Sequence, residues 1–125
     1  MIIGAGVDIA EVPRLERAIA RYGARFLERV FTPLEIEYCD RHKNRFERYA
    51  ARFAAKEAGM KALGVGWRGG IRWRDLEVVN LRDGKPTLRL HGEAARIAAK
   101  RKVRNVSLSL THTQRQALAQ VILED

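Results

Sequence analysis

The chain has 125 residues, 46% of them hydrophobic, with a formal net charge of +9. That suits one packed domain over residues 1–125 and excludes a disordered chain. No run reaches the roughly 18 apolar residues of a membrane span, and the opening MIIGAGVDIAEV has no basic n-region and meets an acid at Asp8, so it does not read as a signal peptide.

Along the chain, MIIGAGVDI is apolar and β-branched and predicts a strand ending near Asp8. EVPRLERAIARYG predicts a helix with Pro13 in its first turn and Gly23 at its end. The apolar spacing Leu15, Ile19, Tyr22, Phe26 runs on past that glycine. TPLEIEYCDRHK carries a full helix start, with Thr32 as N-cap, Pro33 first and Glu35 closing a capping box. A third helix runs from about Arg48 to Leu63 and is stopped by the glycines of GVG. After Gly70 the period changes. DLEVVNL and PTLRLHG predict strands joined by a turn at RDGK. GEAARIAAKRK predicts a short basic-ended helix, and NVSLSLTHT and QALAQVILE a closing strand pair with a tight turn at Thr113 to Arg115. Helices first and antiparallel hairpins later indicate an α+β fold, a mostly antiparallel sheet packed against helices.

The single cysteine, Cys39, allows no internal disulfide and fits a reducing cytoplasm. The positive charge should draw the protein to something acidic: nucleic acid, anionic lipid, a phosphorylated small molecule or an acidic protein.

Four groups of residues are candidates for chemistry. Asp8 at a strand tip and Glu57 on the border of the third helix's apolar stripe would suit a hard cation such as Mg²⁺, which takes one or two carboxylates and fills the rest of its shell with water and phosphate oxygens. The same spacing also fits Asp8 capping the next helix and Glu57 pairing with Lys61 one turn on. Lys56 and Lys61 stand near Gly64, Gly66, Gly69 and Gly70, but those glycines follow a helix, whereas phosphate-binding glycine loops precede one. Arg14, Arg17, Arg21, Arg25 and Arg29 line one side of a helix if it continues through Gly23. Such a row repels itself unless a partner neutralises it, though a solvated face is the ordinary reading of helix charge. His112 ends a strand with no zinc or Ser/His/Asp spacing around it.

The segments GVDIAEVPRLERAI, FLERVFTPLE, RFAAKEAGMKALGVG, DLEVVNLRDGKPTLRLHGEA and VSLSLTHTQRQALAQVILE together resemble the bacterial holo-acyl-carrier-protein synthases, the small 4′-phosphopantetheinyl transferases. The resemblance implies the fold of that family, with active sites at trimer interfaces. It implies transfer of phosphopantetheine from coenzyme A to a serine of apo-acyl-carrier protein, with release of 3′,5′-ADP, in fatty acid biosynthesis. It places Mg²⁺ between Asp8 and Glu57, puts Lys61 near the pyrophosphate, and makes Glu57 and Lys61 catalytic, Glu57 as base for the serine directly or through a water. Arg52, Lys56, Gly64, Lys85, Pro86 and His112 fall at coenzyme A contacts, with Asp8, Glu57 and Lys61. His112 matches a histidine found in only part of the family. Arg14 and Arg25 match arginines that meet the carrier's acidic helix; Arg21 joins them from the stripe, with Phe26 beside them. Against this stands a small basic nucleic-acid-binding domain, suggested by the charge and the run RIAAKRKVR. The chain has neither the aromatic platform nor the helix-turn-helix or zinc pattern of such domains.

Overall fold

The structure, a computed structural model, describes residues 1–66 and 70–125. Strand β1 (Ile2–Glu11) pairs antiparallel with β5 (Gln116–Glu124), and β5 pairs with β4 (Asn105–His112), in the order β1-β5-β4. Strands β2 (Leu76–Asn80) and β3 (Pro86–Leu90) form a separate antiparallel hairpin. The helices are α1 (Val12–Tyr22), α2 (Ala24–Val30), α3 (Pro33–Asp40), α4 (Arg45–Leu63) and α5 (Gly92–Lys100). The expected α+β class and antiparallel pairing are what is found.

Helix α4 is the centre of the molecule, packed against β1, β5, β2, α1 and α3. Its alanines at 50, 51, 54, 55, 58 and 62 are all buried, and their small size brings other backbone close. Opposite them β1 carries Gly4 and Gly6, where any side chain would collide with the carbonyl oxygens of Ala62 and Ala58. The glycines at the start of the sequence are therefore a packing requirement of α4. On the other flank Gly59 gives way to Leu76 and Leu88 of the hairpin.

Alternation sends Gly4, Gly6, Asp8 and Ala10 toward α4 and Ala5, Val7 and Ile9 away from it. Val7 and Ile9 consequently remain 52% and 55% exposed, and half-buried Leu118 and Ile122 lie beside them across the β1–β5 register. The β1 side of this outer face is apolar and open in the isolated chain, while Gln120 and exposed Ser107, Ser109 and Thr111 make the β4 side polar.

Three boundaries differ from the expected ones. Strand β1 continues to Glu11 because β5 pairs with it to the end, Glu11 opposite Gln116. Helix α4 begins at Arg45, three residues early, where Arg45 reaches Asp40 at 3.1 Å and Arg48 reaches the Asn44 side chain at 3.3 Å. The first helix breaks at Gly23, whose φ of 58° and ψ of −136° leave the helical region, and α2 starts afresh. The arginines are thus divided, Arg14, Arg17 and Arg21 on α1 and Arg25 and Arg29 on α2, and do not form one unbroken stripe.

Candidate active site

The site grows out of the β1–α4 contact. Gly4 meets α4 at Ala62 and Gly6 meets it at Ala58, so the next inward residue, Asp8, also faces α4. Residues four apart share a helix face, so Glu57 and Lys61 project to the same side. Lys61 makes the connection: its Nζ donates to Asp8 Oδ1 at 3.0 Å and to the Val7 carbonyl at 3.1 Å. Asp8 and Glu57 are each half-buried, and Lys61 is exposed. Asp8 does not cap α1, whose N-cap is Glu11 without a side-chain bond. Asp8 already holds an ammonium, and Glu57 stands one turn from that ammonium's own residue on the facing helix.

A second feature lies at the N-terminal half of α4. Arg48, Arg52, Asn80, Gly84, Pro86 and His112 line a cleft of about 170 Å³. Arg52 is only 4% exposed, its guanidinium lies 3.9 Å from the centre of the Tyr38 ring, and its Nε finds no hydrogen-bond acceptor among the described residues. A buried cation with an unsatisfied donor is costly unless an anion completes it. His112 is fixed on the same wall, its Nδ1 2.9 Å from Glu47 Oε1. Pro86 opens β3, and exposed Lys85 sits in the preceding turn, which is closed by the bond from Leu81 N to the Lys85 carbonyl. The expected residues Arg52, Pro86 and His112 thus come together around one hollow, and Lys85 stands next to it in sequence, between Gly84 and Pro86, without lining it. Arg48, Asn80 and Tyr38 complete it; their positions in unrelated elements gave no local signal.

Lys56 requires a correction. It is fully buried, and its three protons go to Glu35 Oε1 at 2.7 Å, the Leu76 carbonyl at 2.6 Å and the Trp73 carbonyl at 3.2 Å. No donor is left for coenzyme A. Burial pushes its ammonium below the usual lysine range, with the charge of Glu35 acting against that shift. A signal was present: at about 100° per residue Lys56 falls about 60° from Phe53 on the Met60 side, inside the apolar arc. Glu35 also accepts from Thr32 N and Val78 N, and Thr32 Oγ1 donates to Glu77 Oε2 at 2.6 Å. The capping box was visible beforehand; that its glutamate also anchors α4 was not.

Gly64 caps α4 with a φ of 75° and belongs to the helix stop; Gly69 lies outside the described residues. Arg14, Arg17, Arg21, Arg25 and Arg29 are all exposed, and among the described residues none has an ion-pair partner. Arg25, Arg29, Tyr22 and half-buried Phe26 surround a hollow of about 410 Å³. Burial pushes the Cys39 thiol up to about 12, which removes it from nucleophilic chemistry.

Residues 4–121 match the 4′-phosphopantetheinyl transferase superfamily. The chain belongs to that family. Over 125 residues, all of both chains, it is 63% identical to a holo-[acyl-carrier-protein] synthase of Solibacter usitatus. Its fold superposes with a TM-score of 0.89 on the crystal structure of the holo-[acyl-carrier-protein] synthase of Neisseria meningitidis, 33% identical with both chains fully covered. The synthase of Bacillus anthracis, solved in complex with CoA (3′,5′-ADP), gives 0.80 at 37% identity, covering 98% of this chain and 96% of that one. The α+β architecture is the transferase fold of this family, and nothing in these matches favours a nucleic-acid-binding domain.

Proposed function

We propose that this protein is a holo-acyl-carrier-protein synthase, moving 4′-phosphopantetheine from coenzyme A to a serine of apo-acyl-carrier protein and releasing 3′,5′-ADP. The observation that carries this reading is the contact of Asp8 with Lys61, one turn along α4 from Glu57, in a chain that matches such synthases along its whole length.

The reaction is a displacement at phosphorus, where positioning and charge stabilisation do most of the work. The serine oxygen forms the new P–O bond as the bond to 3′,5′-ADP breaks. Glu57 takes the serine proton, and Lys61 balances the negative charge gathering on the departing ADP. Arg52, with its unsatisfied Nε, holds a phosphate of coenzyme A in the cleft, and Lys85, Pro86 and His112 bound the nucleotide there. Asp8 and Glu57 would hold a divalent cation of the Mg²⁺ class, which when bound supplies charge neutralisation and polarisation of the phosphorus. The residues fit such an ion. Both donors are hard carboxylates, and Asp8 already attracts a cation in the form of Lys61. Such an ion would complete its shell with water and phosphate oxygens.

The carrier docks on α1 and α2, where Arg14, Arg21 and Arg25 face its acidic helix and Phe26 borders the hollow beside them. The working unit is a trimer. The strand that turns Asp8 toward α4 turns Val7 and Ile9 outward, so an identical chain covering that apolar face would bring a subunit seam to the edge of the site. A cytoplasmic, magnesium-dependent enzyme of fatty acid biosynthesis, acting as a single domain, is the role that follows.

The test is mass spectrometry of apo-acyl-carrier protein incubated with coenzyme A, Mg²⁺ and this protein, at a concentration where light scattering reports the oligomer. Gain of one phosphopantetheine on the carrier serine is expected. An unmodified carrier would overturn the reading.

A further inference from the structure

Helix α4 rests on β1 through the least textured surface a protein can offer: glycines at 4 and 6 against the backbone at Ala58 and Ala62. Such a contact brings backbones close but interlocks few side chains, so it resists rotation of the helix about its axis poorly. The hairpin side adds one notch, Gly59 beneath Leu76 and Leu88. Yet Glu57 must be held to within a fraction of an ångström to work opposite Asp8. A turn of about 10° moves a carboxylate about 6 Å from the helix axis by about 1 Å, and a displacement of that size costs a reaction about 100-fold.

Tyr49 against Phe31 and Phe53 stacked on Trp73 steady the helix with apolar contacts, and beside Glu57 polar anchors add to them. Lys56, the residue before Glu57, sends its ammonium to three fixed acceptors on two other elements: Glu35 Oε1 on α3, and the Trp73 and Leu76 carbonyls where the chain enters β2. Glu35 is itself held by Thr32 N at 2.9 Å and Val78 N at 2.8 Å. Both side chains of the pair are 0% exposed. At the far end of α4, Arg101 bonds the Leu63 carbonyl through one nitrogen and, at 3.1 Å, the Ile3 carbonyl through another, tying the helix to β1 axially. A buried ion pair is a poor source of net stability, since an apolar pair of similar volume often does as well. Geometry is the better account of it.

We propose that Lys56 is a positioning residue, whose anchored ammonium fixes the rotation of α4 and thereby sets Glu57 opposite Asp8. This rests on the transferase reading for its kinetic consequence, but not for its structural one.

The experiment compares Glu35→Gln/Lys56→Met with the parent protein. Methionine keeps the length of the lysine without its donors, and glutamine keeps one acceptor, for either Thr32 N or Val78 N. Expected are a moderately lowered thermal midpoint, since the Leu76 and Trp73 carbonyls lose their donor, displaced amide NMR signals at Glu57, Lys61 and Asp8, and a single-turnover rate lower by about 10- to 100-fold. The coenzyme A KM should rise by less than the rate falls, since Arg48 and Arg52 stand on the same helix and turn with it but bind substrate at its other end. Glu35→Gln alone keeps both carbonyl anchors of Lys56 but leaves its charge without a carboxylate, at a marked loss of stability; assayed at low temperature it should show a smaller loss of the same kind, so the question stays answerable if the double variant does not fold. Parental rate and unmoved signals in the stable double variant, or in Glu35→Gln alone, would overturn the proposal and make the pair purely structural. Should the parent protein itself transfer nothing, the proposed function fails, while the NMR signals still decide whether Lys56 positions the helix.

Discussion

Two lysines on the same helix, Lys56 and Lys61, have opposite circumstances. Lys56 is 0% exposed and spends every proton inside the fold, whereas Lys61 is 56% exposed at its side chain and shares an aspartate at the edge of the site. Both are ammonium groups paired with a carboxylate at about hydrogen-bond distance. The difference in solvent decides what each can do. Water lets Lys61 exchange its partner for a phosphate at little cost, while the dry interior makes any exchange at Lys56 prohibitive. Proximity to Glu57 therefore does not by itself open a lysine to a substrate; access does.

The strongest way to break this contrast is at the carboxylates on the exposed side. Asp8→Ala and Glu57→Ala should each lower transfer by about 1000-fold or more, the scale of losing a preorganised charged group, with an unchanged circular dichroism spectrum. Calorimetric titration of Mg²⁺ in the presence of coenzyme A should show the binding event lost. Near-normal turnover in both variants would place the chemistry elsewhere.

The contrast itself is measured by making the same change on each side. Lys56→Met leaves Glu35 charged and alone in the interior and should cost about 3–5 kcal/mol of stability. Lys61→Met removes a partly exposed pair and should cost less than about 1 kcal/mol, while slowing the single-turnover rate far more than it raises the coenzyme A KM. Urea denaturation and single-turnover kinetics together read both; equal destabilisation by the two substitutions would erase the distinction.

A smaller effect is expected at the exposed arginines. Arg25→Glu should raise the carrier KM by about 5- to 10-fold through slower association and leave the coenzyme A KM unchanged, since exposed charges steer encounter. The difference should shrink as added salt brings the Debye length well below about 10 Å. A change in coenzyme A binding instead would mean that this face meets the nucleotide.

The smallest effect concerns acid stability. Burial pushes the Glu77 carboxyl up, but hydrogen bonds from Thr32 and His91 and the positive charge of His91 and Arg89 outweigh it, and it lies below the usual glutamate range. A carboxyl depressed in the fold contributes stability above its unfolded pKa of about 4.3 and loses it as pH falls through the folded value. Glu77→Gln should therefore flatten the decline in thermal midpoint below about pH 4.3. An unchanged acid slope would remove Glu77 from the account.

Local chemistry was sufficient for much of this. The cap at Thr32 and Glu35, Pro13 in the first turn, the Asp83–Gly84 turn and the period change after Gly70 rest on neighbours a few residues apart, where propensity and hydrogen bonding act without help from the rest of the fold. The pairing of Asp8 with the α4 motif followed from resemblance, and the β1–α4 contact placed it in space. The break at Gly23 was half visible: the glycine was recognised as an end, but the arginine spacing invited a continuous row across it. What no local pattern could settle was which charges would be dry. Lys56 and Lys61 belong to the same helix and the same chemical type, and only the arrival of α3 and the β2 entry over one of them, from 21 and 20 residues away in the chain, removes it from water. Residue type determined that both would seek a carboxylate; tertiary packing decided which became an anchor and which stayed free to meet a substrate, because desolvation depends on everything that covers a group and not on its neighbours in sequence.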